Sequence, residues 1–310
     1  MTLAWGLPIT SGIADAGMRV VIKTSGIPIF ALNGMGFLCA LPIYAVWLFF
    51  TGIPDIKTPF WYAIAGHVPL MIIAFTLMVM AHRASPLALT APYLALTAAY
   101  TLITSPLMGT GEPNSFGAIG ILVLTLGIYV INTREKQKSL LDPFRQLGKE
   151  RGPQLMFIVG LIFAVTANFD LIAFQNANAP FYLLVDHGLV GLSCISIALF
   201  LSVAKIHGGA YVFGAKHIGV AMLFGLALGM SVVPHMLAFE WIPNVPYVIA
   251  GKRAGVILFS VAMGIILALM TRFGDKHKAE REHLRYRIPG ALIMTVGMVI
   301  IILYGLDRTP

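Results

Sequence analysis

Residues 247–259, "YVIAGKRAGVILF", set Lys252 beside Arg253 in a run otherwise fit for the interior of a lipid bilayer. Two fixed charges at that depth cost about 2.5–3.5 kcal/mol each on insertion scales, so they must face a cavity or a partner rather than lipid. Neighbours on a helix point about 100° apart, so one is expected to reach a central cavity and the other an adjacent helix. Two chemistries are open to the pair. One is a buried ion pair with Asp170 or Asp186; the other is contact with an anionic group of a substrate, for which an arginine fork and a lysine point charge are suited.

A second signal is the recurrence of Thr90, Tyr93, Thr97, Thr101 and Thr104 at spacings of 3, 4, 4 and 3, which is one face of an α-helix. Such a stripe in an apolar helix looks inward. It either lines a cavity, with Tyr93 and Thr97 most central, or bonds its own carbonyls and packs another helix. Asp170 in "TANFDLIAFQNAN" and Asp186-His187 in "LLVDHGLVG" are ionisable groups within apolar segments, suited to binding, to carrying a proton or to structural pairing. His235, after Pro234, and Asn33 are further candidates, each equally readable as satisfied structure. Asp15 and Arg19, four apart on one helix face, predict an internal ion pair. Glu112 in "GEP" and Asp275 in "GDK" read as caps at helix ends.

The elements that must position these groups are membrane helices. The chain has 310 residues, 58% hydrophobic and 11% charged, with a mean hydropathy of +0.86, which excludes a soluble globular domain. Apolar runs long enough to cross a bilayer fall at about 2–22, 28–50, 60–81, 86–108, 116–133, 154–177, 181–203, 217–239, 244–270 and 287–306. The opening "MTLAWGLPITSG" lacks a basic n-region and is expected to begin the first span rather than serve as a signal peptide. The net charge of +8 sits in short gaps between apolar runs with no aromatic-interleaved face, so nucleic acid is not an expected partner. Cys39 and Cys194 lie inside apolar runs and read as small hydrophobes, not a disulfide.

Internal repetition organises the ten runs. "PIFALNGMGFLCALPIYAVWLFF" (28–50) overlays "PFYLLVDHGLVGLSCISIALFLS" (180–202) without a gap, and "GILVLTLG" (120–127) matches "GALIMTVG" (290–297). Two five-helix repeats, 1–133 and 153–310, are therefore expected, joined by a basic linker at 134–152. Five is odd, so the second unit enters the membrane inverted around a central cavity, the architecture of many secondary transporters. Seventeen of the 21 lysines and arginines fall on one side of this arrangement and only Lys57 and Arg308 on the other. The positive-inside rule then puts the long linkers in the cytoplasm and both termini outside. Gly225 and Gly229 form a GxxxG face expected to pack closely on another helix.

The chain resembles the drug/metabolite transporter superfamily, specifically its EamA-type ten-helix members. The likeness rests on "AWG" (4–6), on "SPLALTAPYLALTAAYTLITSPLMGTGEP" (85–113) with the following "GILVLTLGIYVI", and on "PNVPYVIAGKRAGVILFSVAMG" (243–264) with "GALIMTVGMVIII". It departs in having Ala98 where a proline is common and Asp275 where glutamate is common. The basic pair is similar to one in the related triose-phosphate translocators that holds a substrate phosphate, and this carries over only to Lys252 and Arg253. The resemblance implies a secondary active transporter working by alternating access in the inner (plasma) membrane. Its substrate would be a small anionic or zwitterionic metabolite, an amino acid or carboxylate first and an organophosphate second. A proton or counter-substrate would be the coupling species, and the protein a monomer or homodimer.

Other classes find less in the residues. No HExxH, GxSxG, P-loop or dinucleotide fingerprint occurs, so neither an enzyme, a cofactor nor a resident metal is expected and ATP cannot drive transport on this chain. An intramembrane transferase would need clustered carboxylates for Mg²⁺, and no DxxxD or DDxxD is present. A passive channel is disfavoured because a repeat within one chain already builds a two-sided cavity.

Overall fold

The computed structural model describes residues 2–85, 87–131, 147–204, 215–270 and 278–305. Among them are ten α-helices and no strand. They are α1 (Gly6–Thr24), α2 (Ile29–Thr51), α3 (Thr58–Ala84), α4 (Leu87–Met108), α5 (Ser115–Ile131), α6 (Arg151–Asn176), α7 (Ala179–Val203), α8 (Ala215–Trp241), α9 (Val245–Met270) and α10 (Lys278–Ile300). A π-helical turn, Ile301–Gly305, closes α10. The helix α10 begins well before the apolar run does, because "KAEREHLRYR" is built of good helix formers that carry no hydropathy signal. Most of the basic linker and Asp275 lie outside the described residues.

Five of the helices, α2, α3, α6, α7 and the His217–Trp241 part of α8, are long and apolar enough to cross a membrane. Their surface agrees with that medium: Phe49, Leu107 and Val203 are more than three-quarters exposed, a cost in water that lipid removes. The chain is an all-helical membrane protein. Cys39 and Cys194 are both free thiols.

The helix ends follow local chemistry. Asn178 caps α7, its Oδ1 accepting from Phe181 N at 3.0 Å while its Nδ2 donates to Gly52 O at 2.8 Å, and Pro180 occupies the first turn, where its missing N–H costs nothing. One side chain thus ties the α6–α7 turn to the end of α2.

Lipid tails are as apolar as leucine, so helices in a membrane associate through small residues that let backbones approach. The two glycine pairs of α5 and α10 are such a seam. A Cβ on Gly120 would lie 2.9 Å from Gly297 O, and one on Gly127 would lie 2.8 Å from Gly290 O, so the helices run antiparallel with their glycines in register. α2 crosses α7 in the same sense, where a Cβ on Gly191 would lie 3.3 Å from Gly34 O. α1 packs on α8 and α9, and α6 packs on α3 and α4. Advancing every helix number by five turns one of these statements into the other. Gly225 packs on α2, its missing Cβ leaving 2.8 Å to Gly36 O.

Candidate functional site

The basic pair is positioned by the α1–α9 seam. A Cβ on Gly12 would sit 2.0 Å from Lys252 O, and one on Gly255 would sit 2.0 Å from Ile9 O. Gly251 closes the same contact against the Pro8 ring, 2.8 Å away. Lys252 and Arg253 are therefore the middle of a second GxxxG stretch, and their backbone lies directly on α1. From there Arg253 Nη1 reaches Asp15 Oδ2 at 3.4 Å, and Arg19 donates to the same carboxylate oxygen from one turn further along α1. The internal pair expected of Asp15 and Arg19 is present. Two arginines share one carboxylate, all three side chains almost wholly buried. Such a triad survives burial only because each charge has a partner.

Beside it lies a small cavity of about 80 Å³. Asp15, Lys252 and Arg253 line it together with Asp170, His187 and His235, two hydroxyls (Thr166 and Ser231) and an apolar wall that includes Phe37, Phe75 and Phe163. Lys252 is half-buried, and among the described residues its ammonium has no hydrogen bond or ion pair. Arg253 has taken the available carboxylate. The cavity therefore presents one cation with no hydrogen bond or ion pair of its own on a mostly apolar lining, which can hold a single anionic group of a molecule with an apolar body.

A second polar group is built around His67 of α3. Its Nδ1 lies 2.7 Å from Asp186 Oδ1 and its Nε2 lies 3.2 Å from Asp170 Oδ1. Tyr182 donates to Asp170 Oδ1 at 2.5 Å, and His235 Nε2 stands 3.6 Å from Asp170 Oδ2, too far for a hydrogen bond. His187 shares a 3.0 Å hydrogen bond with the Tyr44 hydroxyl and meets the Phe37 ring edge-on at 4.8 Å between centroids. Among the described residues no cluster of His, Cys, Asp and Glu could hold a metal ion.

The structure thus gathers Lys252, Arg253, Asp170, His187 and His235, with Asp15, around one cavity. Asp186 sits behind it, fully buried on His67. Arg253 finds its carboxylate on α1, not at Asp170 or Asp186, because the glycine seam presses α9 onto that helix. The α4 stripe lies elsewhere. Thr97 donates to Leu94 O at 2.6 Å and Thr101 to Ala98 O at 2.7 Å, Thr90 meets His82 Nδ1 at 3.2 Å, and Thr104 donates to Ala164 O of α6 at 3.2 Å. Tyr93 is buried in the same contact, where a Cβ on Gly160 of α6 would come within 3.0 Å of Tyr93 O. Thr90, Tyr93 and Thr97 are not among the lining residues, since their face packs on α6. Asn33 is also buried outside the lining, with neither amide atom hydrogen-bonded in the structure.

Two functional-looking residues escaped the sequence reading. His67 lies in "AGHVPLM", and an ionisable group inside an apolar helix is signal enough. Asn168 of α6 accepts from Ser105 Oγ at 2.6 Å and from Thr110, and its Nδ2 donates to Ala164 O at 2.6 Å and Thr104 Oγ1 at 3.1 Å. It knots α6 to α4 with a fully satisfied amide.

No family model matches the chain, and no curated protein does. A protein of known crystal structure does match: 96% of this chain covers 97% of that one with a TM-score of 0.61 and 12% identity. The fold is shared. The likeness covers the whole helical arrangement and carries no chemistry.

Proposed function

We propose that the chain is a secondary active transporter of the drug/metabolite class, of the EamA type, that moves a small anionic or zwitterionic metabolite across the inner (plasma) membrane. The observation that carries this reading is Lys252. A half-buried ammonium with no ion pair or hydrogen bond of its own among the described residues, at a cavity wall, is a standing cost that an incoming carboxylate or phosphate removes. The aromatic and aliphatic lining favours a carboxylate with an apolar body, such as an apolar amino acid, over a multiply charged phosphate ester.

The helix arrangement supports alternating access. Exchange of helices i and i+5 maps the main packing contacts onto one another, and the self-related pairs α5–α10 and α2–α7 are antiparallel. That is what two inverted five-helix units related by an axis in the membrane plane require. The lysine and arginine asymmetry favours cytoplasmic linkers and external termini.

The test is thermal stabilisation of the purified protein by a panel of carboxylates, amino acids, organophosphates and cations, repeated with Lys252→Gln. Anions that stabilise the parent and not the variant support the reading. Stabilisation by cations, or the same anion response in both proteins, would sink it.

A further inference from the structure

His67 holds its ring between two carboxylates that come from two other helices, Asp186 of α7 at 2.7 Å from Nδ1 and Asp170 of α6 at 3.2 Å from Nε2. A neutral imidazole has one N–H and one lone pair. With Nδ1 hydrogen-bonded to Asp186, Nε2 lies at ion-pair distance from Asp170 Oδ1 but has no hydrogen bond, and the His67 and Asp186 side chains are 1% and 0% exposed. A neutral ring leaves Asp170 and Asp186 as two carboxylates with no charge between them.

The neighbours do not supply it. Tyr182 of α7 spends its hydroxyl hydrogen on Asp170 Oδ1, and His187 shares its Nδ1 contact with Tyr44 of α2. His235 of α8 is 3.6 Å from Asp170 Oδ2, with its Nδ1 buried and without a hydrogen bond. On the far side of the cavity lining, Lys252 and Arg253 of α9 and Asp15 of α1 complete the titratable groups around the cluster. With every histidine neutral, the carboxylates Asp15, Asp170 and Asp186 balance the cations Arg19, Arg253 and Lys252. A proton added at His67 is therefore a positive charge between two carboxylates and a net positive charge next to the cavity.

We infer that His67 is a proton-binding site, an imidazolium that holds α3 to α6 and α7 by hydrogen-bonding Asp186 and pairing with Asp170. Asp170 puts this proton one carboxylate away from the cavity that also holds Lys252. The proton and an anion in the cavity then favour each other by linkage; that use of the site rests on the transporter reading, whereas the site itself does not.

The experiment uses the full chain in detergent micelles with nitrogen-15 in the histidine rings and reads protonation directly. At pH 8 one of the eight histidines is expected to carry hydrogen on both ring nitrogens, and that signal is absent in His67→Asn. In Asp186→Asn, whose amide oxygen and nitrogen satisfy a neutral ring, the same histidine is expected to show a single N–H at pH 8; this variant decides the matter if His67→Asn does not fold. Eight singly protonated rings in the parent, or a doubly protonated ring that survives both substitutions, overturns the proposal. The two readings fail separately. A doubly protonated His67 in a protein that no anion of the panel stabilises removes the transporter and leaves the site, and Lys252-dependent stabilisation with a neutral His67 does the reverse.

Discussion

Asp15 of α1 and Arg253 of α9 stand 3.4 Å apart across a seam where glycines bring the two backbones together, and this pairing is what leaves Lys252 without a carboxylate. Arg19 leans on the same oxygen. Adjacent basic residues of one helix thus have opposite circumstances, one neutralised within the protein and one facing the cavity.

Removing the shared carboxylate strands two buried arginines. Asp15→Asn is expected to lower stability by about 3–5 kcal/mol, the range for breaking a buried ion pair from one side. Thermal melting in detergent checks this. A double-mutant cycle with Arg253→Met is expected to show strong coupling, the pair of changes costing less than the sum of the two; additive losses would contradict the pairing.

The seam itself allows no side chain. Gly12→Ala would drive a methyl into the carbonyl of Lys252, 2.0 Å from where Cβ must go, so α1 and α9 must separate. The expected cost is about 1–3 kcal/mol, as for other overpacked contacts, and Lys252 moves with its backbone. Gly6→Ala, with nothing within 4 Å of its Cβ, is expected to leave melting unchanged and serves as the control.

Asn168 of α6 makes four hydrogen bonds, two with Ser105 and Thr104 of α4, one with Thr110 just beyond it and one with Ala164 of its own helix. Asn168→Leu leaves Ser105, Thr104 and Thr110 to find other partners, at a cost of about 0.6–1.7 kcal/mol for each bond not recovered. The melting temperature should fall, while Lys252-dependent anion stabilisation persists, because none of these residues lines the cavity.

The inverted arrangement has its own check. Single cysteines placed at Thr51, the last residue of α2, and at Ser139, in the basic linker, are expected to react with a membrane-impermeant maleimide from opposite sides in cells, Ser139→Cys only after permeabilisation. Labelling of both from the same side would contradict the orientation drawn from the lysine and arginine count.

The helices were legible because lipid imposes a length and a composition that can be read directly, and the paired glycines of "GILVLTLG" and "GALIMTVG" because they recur at a fixed interval. Those glycines proved to be where α5 meets α10, a relation invisible until the two copies are set antiparallel. The basic pair was legible as a functional signal because charge is costly in an apolar helix. Its carboxylate was not, since Asp15 already had a local partner in Arg19 and nothing in the residue types says that Arg253 joins them; the packing of Gly12, Gly251 and Gly255 does. The α4 stripe misled for a related reason. Threonines on one helical face look the same whether they line a cavity or bond their own carbonyls against α6, and Gly160 on the facing helix favours the second. His67 could have been found, being an ionisable group in an apolar run, but the two aspartates that give it meaning lie more than 100 residues away.

The central claim is that Lys252 is the anion-binding group of the cavity. The measurement that tests it most directly compares the anion-induced rise in melting temperature of the parent protein with that of Lys252→Gln, across the same series of carboxylates and phosphates. A saturable rise is expected in the parent, its loss in the variant, and an unliganded variant that melts no lower than the parent, because a charge without an ion pair of its own has been removed. An anion response that is undiminished in Lys252→Gln would contradict it.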